Sequence, residues 1–89
     1  MKVVLKFMYN AYLLYIPDGY IKNLQEVYMN FFDWIEEQPD CWTDNGARSF
    51  DEKDFVRYLN EEVLFECNER AYIMSDNIVE TKNITVLKF

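Results

Sequence analysis

The chain has 89 residues, of which 51% are hydrophobic and 18% aromatic, and its formal net charge is -7. A chain of this length builds one hydrophobic core, and its apolar and aromatic content excludes an intrinsically disordered acidic tail. The sequence therefore predicts a single folded domain that spans residues 1–89.

The N-terminal segment predicts two β-strands. Residues 2–8 alternate with the period of a half-buried strand, and one face carries Val3, Leu5 and Phe7. Asn10 is a turn-forming residue, and the β-rich run 11–16 follows it. The pattern predicts a hairpin that ends at Pro17.

Residues 19–38 change to a helical period. Apolar side chains recur at spacings of three and four, at Ile21, Leu24, Tyr28, Phe31 and Ile35. We predict an amphipathic helix from Gly19 to about Gln38, which Pro39 terminates. The opposite side of this helix carries a polar stripe of Glu26, Asn30, Asp33 and Glu37.

A second helix is predicted after a loop over residues 40–48. Ser49 is followed three positions later by Glu52, which is the pattern of a capping box, so the helix should begin at Ser49. Its buried stripe consists of Phe55, Val56, Leu59 and Val63. The remaining circumference carries the acidic residues Asp51, Asp54, Glu61, Glu62 and Glu66.

The C-terminal segment returns to strand patterns at residues 71–75, 78–81 and 84–89. Residues 86–89 repeat residues 4–7 letter for letter, which we interpret as two strands with the same face pattern in one sheet. The predicted order is β-β-α-α-β-β with an optional fifth strand. We therefore predict an α+β fold: a mainly antiparallel sheet of four to five strands with two amphipathic helices on one side.

No pattern in the chain indicates catalysis or a bound cofactor. The chain contains no histidine, which excludes Ser-His and Cys-His mechanisms, and its two glycines form no phosphate-binding loop. Residues 41–52 resemble a calcium-binding loop in outline, with Gly46 and Glu52 in register, but Cys41 and Thr43 replace two oxygen ligands. We predict no enzyme, no cofactor and no metal site.

The cysteines and the apolar runs indicate the compartment. Cys41 and Cys67 lack the spacing of a disulfide framework or a zinc site, so we expect reduced thiols, with a disulfide as the alternative. No apolar run approaches the ~20 residues of a membrane helix, and no secretory signal is recognisable. These observations predict a cytoplasmic protein without membrane contact.

The charges are unevenly distributed along the chain. Residues 26–69 contain thirteen acidic and three basic side chains, whereas the flanks contain three acidic and six basic ones. An acidic helix face often serves only solubility, but charge concentrated on two helices also attracts a basic partner. The candidate partner-binding residues are Glu26, Asp33, Glu36, Glu37, Trp42, Asp51, Asp54, Glu61, Glu62 and Glu66. Direct binding of nucleic acid is not expected, because cations are too few in this region.

In size and charge the chain is similar to small acidic inhibitors of nucleic-acid-processing enzymes, including phage anti-restriction and anti-CRISPR proteins that mimic DNA. Side chains four apart on a helix are separated by a rise of ~6 Å, close to the phosphate spacing of a nucleic acid strand. The similarity implies a basic protein partner. The alternative is a structural or adaptor domain that forms a homodimer through an aromatic patch or a strand edge such as residues 84–89.

Overall fold

The computed structural model describes residues 1–7, 10–39, 50–76 and 83–89. The described elements are β1 (Lys2–Lys6), β2 (Ala11–Tyr15), α1 (Leu24–Glu36), α2 (Glu52–Tyr58), a π-helical segment (Leu59–Val63), β3 (Tyr72–Ser75) and β4 (Thr85–Lys88). No helix within these ranges is both long enough and apolar enough to cross a membrane.

The described strands form one mixed sheet in the order β3-β2-β1-β4. The β1–β2 and β2–β3 pairs are antiparallel and the β1–β4 pair is parallel, which confirms the α+β class and the N-terminal hairpin. The repeated tetrapeptides lie side by side, since Val4 pairs with Val86 and Leu5 with Leu87. The optional fifth strand at residues 78–81 lies outside the described residues.

The helices pack on one face of the sheet and enclose an aromatic core. Side chains of the sheet and the helices meet there, including Val3, Leu5, Leu14, Leu87, Phe31, Ile35, Phe55 and Leu59. Phe31 is fully buried, and its ring centroid lies 5.1 Å from that of Phe55 and 5.8 Å from that of Phe89. Large rings bury much apolar area per residue, so they compensate for the short chain.

Helix α1 begins later than the sequence predicts. Asn23 is its N-cap, and the Asn23 side chain accepts a hydrogen bond from the Glu26 amide at 3.2 Å. Gly19 has a φ of 87°, a left-handed conformation that a right-handed helix cannot include, so the predicted start at Gly19 is wrong. The predicted stop is confirmed, because the helix ends at Glu36, before Pro39.

Helix α2 also begins later than predicted. Its N-cap is Asp51, whose carboxylate accepts hydrogen bonds from the amides of Lys53 and Asp54 at 3.0 Å and 3.3 Å. The Asp54 carboxylate in turn accepts from the Asp51 amide at 3.0 Å, which completes a capping box. The predicted cap, Ser49, lies outside the described residues, and the prediction that it starts the helix is wrong.

The π-helical segment after α2 positions the start of β3. Asn60 donates a hydrogen bond to the Ala71 carbonyl at 3.1 Å and accepts one from the Ala71 amide at 2.8 Å. Arg70 donates to the carbonyls of Leu64 and Cys67 at 3.0 Å and 2.8 Å. These contacts fix the path by which the chain leaves the helical layer and enters the sheet. Cys67 is a buried free thiol in this turn.

Candidate functional site

Most of the predicted acidic candidates are exposed on α1, at its C-cap and on the π-helical segment after α2. We define the acidic helical surface as the exposed side chains Glu26, Asp33, Glu36, Glu37, Glu61 and Glu62. Glu66 is also exposed, in the turn after the π-helical segment. On α1 the buried residues Phe31 and Ile35 mark the core-facing side, and the helical period of 3.6 residues places Glu26, Asp33 and Glu37 on the opposite side.

A tryptophan on α1 contacts residues of α2 and of the π-helical segment that follows it. The Trp34 indole nitrogen on α1 donates a hydrogen bond to the Glu62 carboxylate at 3.2 Å. The guanidinium carbon of Arg57 lies 4.9 Å from the centre of the Trp34 ring, and Arg57 forms an ion pair with Glu61 at 3.3 Å. The contacts therefore bring Glu61 and Glu62 next to the C-terminal half of α1.

The basic side chain of this cluster, Arg57, has a further contact within the protein. Arg57 also donates a hydrogen bond to the Gln38 side-chain oxygen at 3.1 Å. Beneath it, the Tyr58 hydroxyl donates to the Val27 carbonyl at 3.1 Å. Burial, together with the nearby Glu62 carboxylate, raises the pKa of Tyr58, which keeps this donor protonated. Arg57 is thus held by neighbours in its own fold, and the surface around it stays acidic.

Two of the acidic candidates have a structural role in α2. The carboxylates of Asp51 and Asp54 are the side chains of the capping box, and Asp54 is only partly exposed. Their hydrogen bonds to backbone amides account for their presence at the start of the helix. The aromatic candidate, Trp42, lies outside the described residues, as do Cys41, Thr43 and Gly46 of the calcium-loop match.

The C-terminal end of α1 is acidic where a helix favours basic residues. Glu36 lies in the last turn, Glu37 is the C-cap, and the last turn contains no basic residue. The C-terminal end of a helix carries a partial negative charge, which repels carboxylates. Neither Asp33 nor Glu37 has an ion pair or a side-chain hydrogen bond within the described ranges. The arrangement of these carboxylates is therefore unfavourable for the isolated helix.

A pocket of about 520 Å³ lies away from the acidic helical surface, between α2 and β3. It is lined by Tyr12, Glu52, Lys53, Ile73, Met74, Ser75 and Asp76. The pairing of β2 with β3 shifts register between Leu13 and Leu14, whose partners are Ser75 and Ile73, so Met74 of the pocket lining has no paired residue. Burial, together with the negative charge of Glu52, raises the pKa of Tyr12.

Sequence reasoning missed both the tryptophan cluster and the pocket. The Arg57–Glu61 pair has the i,i+4 spacing of a helical ion pair and could have been found from the sequence. The contacts of Trp34 depend on how the helices pack, and the pocket depends on how α2 lies against β2 and β3. In the described parts of the chain, no group of three or more Cys, Asp or Glu side chains could hold a metal ion.

Comparison with known proteins adds no assignment to this geometry. No family model, no curated protein and no solved structure matches the chain. The function must therefore be argued from the residues and contacts of the chain itself.

Proposed function

We propose that the chain is a small acidic binding protein whose acidic helical surface docks on a basic groove of a protein partner. The partner of this chemistry is a nucleic-acid-processing enzyme, whose phosphate-binding groove the carboxylates occupy in place of nucleic acid. In this proposal the chain acts in the cytoplasm as an inhibitor, in the manner of phage anti-restriction and anti-CRISPR proteins, and not as an enzyme.

The acidic C-terminal end of α1 is the observation that carries the proposal. The C-terminal end of a helix repels carboxylates, and lysine would be more favourable for the helix at these positions. Asp33 and Glu37 nevertheless lie there, and within the described residues neither forms an ion pair or a side-chain hydrogen bond, although Arg57 lies nearby against Trp34 and Gln38. Retaining an unfavourable charge is expected where binding to a partner requires it.

The tryptophan cluster supports the same conclusion. Trp34 fixes Glu62, and Arg57 fixes Glu61, so these carboxylates are ordered before a partner arrives. An ordered charged surface loses less conformational entropy on binding than a mobile one. Arg57 is the cation that contacts Trp34. It also forms an ion pair with Glu61 and donates a hydrogen bond to Gln38, so it is already engaged within the protein.

Displacement of nucleic acid tests the proposal directly. Basic proteins captured by the immobilised chain from a nuclease-treated lysate are purified and loaded with a labelled DNA or RNA duplex. The chain should displace the duplex, which is followed by fluorescence anisotropy. Affinity should fall as salt rises, because exposed charges are screened over ~10 Å at 0.1 M. The Asp33→Lys/Glu37→Lys variant should weaken displacement by at least about tenfold.

A matched pair of substitutions controls for net charge. Glu69→Lys/Asp76→Lys changes the net charge by the same amount, at exposed positions outside the acidic helical surface. This variant should displace the duplex like the unmodified chain. The proposal is refuted if the captured protein binds the chain and the duplex together, or if both variants weaken displacement equally. Simultaneous binding, with dimers of the chain in solution, would favour the adaptor alternative.

A further inference from the structure

Two large apolar side chains of the helical layer are exposed beside carboxylates. Met29 on α1 is 56% exposed, and Phe65, which follows the C-cap of the π-helical segment, is 64% exposed. The structure describes residues 10–39 and 50–76 without a gap, and both side chains lie at least ten residues from the ends of these stretches. Neither side chain has an N–H or O–H group to bond with water, so a partner that buries them gains apolar contact.

Met29 lies within the row of carboxylates on α1. Glu26 precedes it by three residues and Asp33 follows it by four, and all three side chains are exposed. Residues at these spacings are neighbours on a helix surface, with about 5–6 Å between their Cβ atoms. The exposed face of α1 therefore presents a flexible apolar side chain between two negative charges.

Phe65 has a similar setting at the end of the π-helical segment. It follows Glu62 by three residues and directly precedes Glu66, and both carboxylates are exposed. A hydrogen bond of 2.9 Å from the Cys67 amide to the Leu64 carbonyl closes the turn that contains Phe65. The buried side chains of Leu64 and Cys67 anchor this turn in the core. The turn is therefore held in place, and it presents the phenyl ring to solvent.

The combination of negative and apolar groups indicates which kind of basic groove the surface fits. A groove for an intact duplex contacts mainly phosphates, whereas a groove for unpaired nucleotides combines cations with aromatic side chains on which bases stack. Carboxylates suit the cations of either groove. A phenyl ring and a thioether also suit the aromatic platforms of the second kind. A second copy of the chain is a poor occupant, because its carboxylates would face those of the first.

We propose that the partner's groove binds single-stranded nucleic acid, with Phe65 and Met29 in the places of unpaired bases and the neighbouring carboxylates in the places of phosphates. This inference rests on the function proposed above and names the class of nucleic acid that the chain displaces. A partner that holds an intact duplex through its phosphates alone has no platform for the two apolar side chains.

Two probes on the same purified partner test the inference. One is a labelled DNA single strand of about twelve nucleotides, and the other is the same strand in a fully paired duplex. The partner should bind the single strand at least about tenfold more tightly, and the chain should displace both probes, as followed by fluorescence anisotropy. A partner that binds the duplex equally or more tightly would overturn the inference and leave the proposed function standing. A chain that displaces neither probe would refute the proposed function itself.

Uncharged substitutions assign the contact to the two apolar side chains. Met29→Ser and Phe65→Ser should each weaken displacement of the single strand by about tenfold, although the net charge is unchanged. The matched controls, Met74→Ser and Tyr72→Ser, remove a methionine and an aromatic ring that are 42% and 52% exposed on β3. Both controls should displace the strand like the unmodified chain. Equal losses in all four variants would show general apolar attraction, against the inference.

Substitutions that keep Phe65 apolar or aromatic separate stacking from simple burial. Phe65→Tyr keeps a ring and should displace the single strand like the unmodified chain, whereas Phe65→Leu has no ring and should displace it less well. Circular dichroism checks that each variant is folded. Full displacement by Phe65→Leu would reject the place of a base for this side chain. If Met29→Ser and Phe65→Ser have no effect while charge reversal on α1 weakens displacement, docking is by charge alone and the inference fails.

Discussion

At the scale of single residues, Asn60 joins the helical layer to the sheet. Its side-chain amide both donates to and accepts from the backbone of Ala71, which is 2% exposed. A buried amide without a partner is costly, so the contact matters more than an exposed hydrogen bond. Asparagine has a low helix propensity. Its contact with Ala71 explains why it is present in the π-helical segment.

Replacing Asn60 should therefore destabilise the fold. We expect Asn60→Ala to reduce the free energy of unfolding by roughly 1–3 kcal/mol, because both backbone groups of Ala71 lose their partner. Chemical denaturation followed by tryptophan fluorescence measures the change. Asn68→Ala, at an exposed position in the turn before β3, is the control and should have little effect. Equal stability of the Asn60→Ala variant and the unmodified chain would contradict this role.

At the scale of the elements, the ends of the helices depend on which of several polar residues becomes the cap. Ser49 with Glu52 and Asp51 with Asp54 both have capping-box spacing, and the structure uses the second pair. In that register Glu52 lies in the first turn of α2 and lines the pocket together with Tyr12. The choice of cap thus positions one carboxylate of the pocket.

The two possible caps make a direct prediction. Asp51→Ala should destabilise the protein by about 1 kcal/mol, since the first turn of α2 loses the side chain that accepts two of its amide hydrogen bonds. Ser49→Ala should leave the melting temperature unchanged within error. Thermal unfolding of both variants by circular dichroism gives the comparison. The opposite order of stabilities would restore the start of the helix to Ser49.

The sequence predicts the elements well and their connections poorly. The alternation in residues 2–8 and the repeated tetrapeptides identify β1 and β4, because side-chain period and face pattern are local properties. The exposure of Glu26, Asp33 and Glu37 follows equally from the helical period. The contact of Trp34 with Arg57 and Glu62 does not, because it arises from packing between helices that are separate in sequence. The strand order and the register shift between β2 and β3 are likewise properties of the assembled sheet.

At the scale of the whole molecule, the uneven distribution of charge destabilises the folded state. The segment of residues 26–69 combines thirteen acidic with three basic side chains, and most of α1 and all of α2 lie within it. Like charges on neighbouring helices repel each other and destabilise the compact state. If the acidic helical surface serves a partner, stability and binding should respond in opposite directions when its charge is reduced. If the acidic face served solubility alone, a reduction of its charge would change stability but would have no partner binding to weaken.

The variant Asp33→Lys/Glu37→Lys makes this opposition measurable. At low ionic strength it should melt at a higher temperature than the unmodified chain, because lysine near the C-terminal end of α1 replaces repulsion by attraction, worth roughly 0.3–1 kcal/mol per charge. Added salt should raise the melting temperature of the unmodified chain more than that of the variant, since screening relieves repulsion that the variant has already lost. The same variant should displace nucleic acid from the partner less well. If it were instead less stable at low salt, the acidic helical surface would be part of what holds the fold together, and its carboxylates would need no partner to explain them.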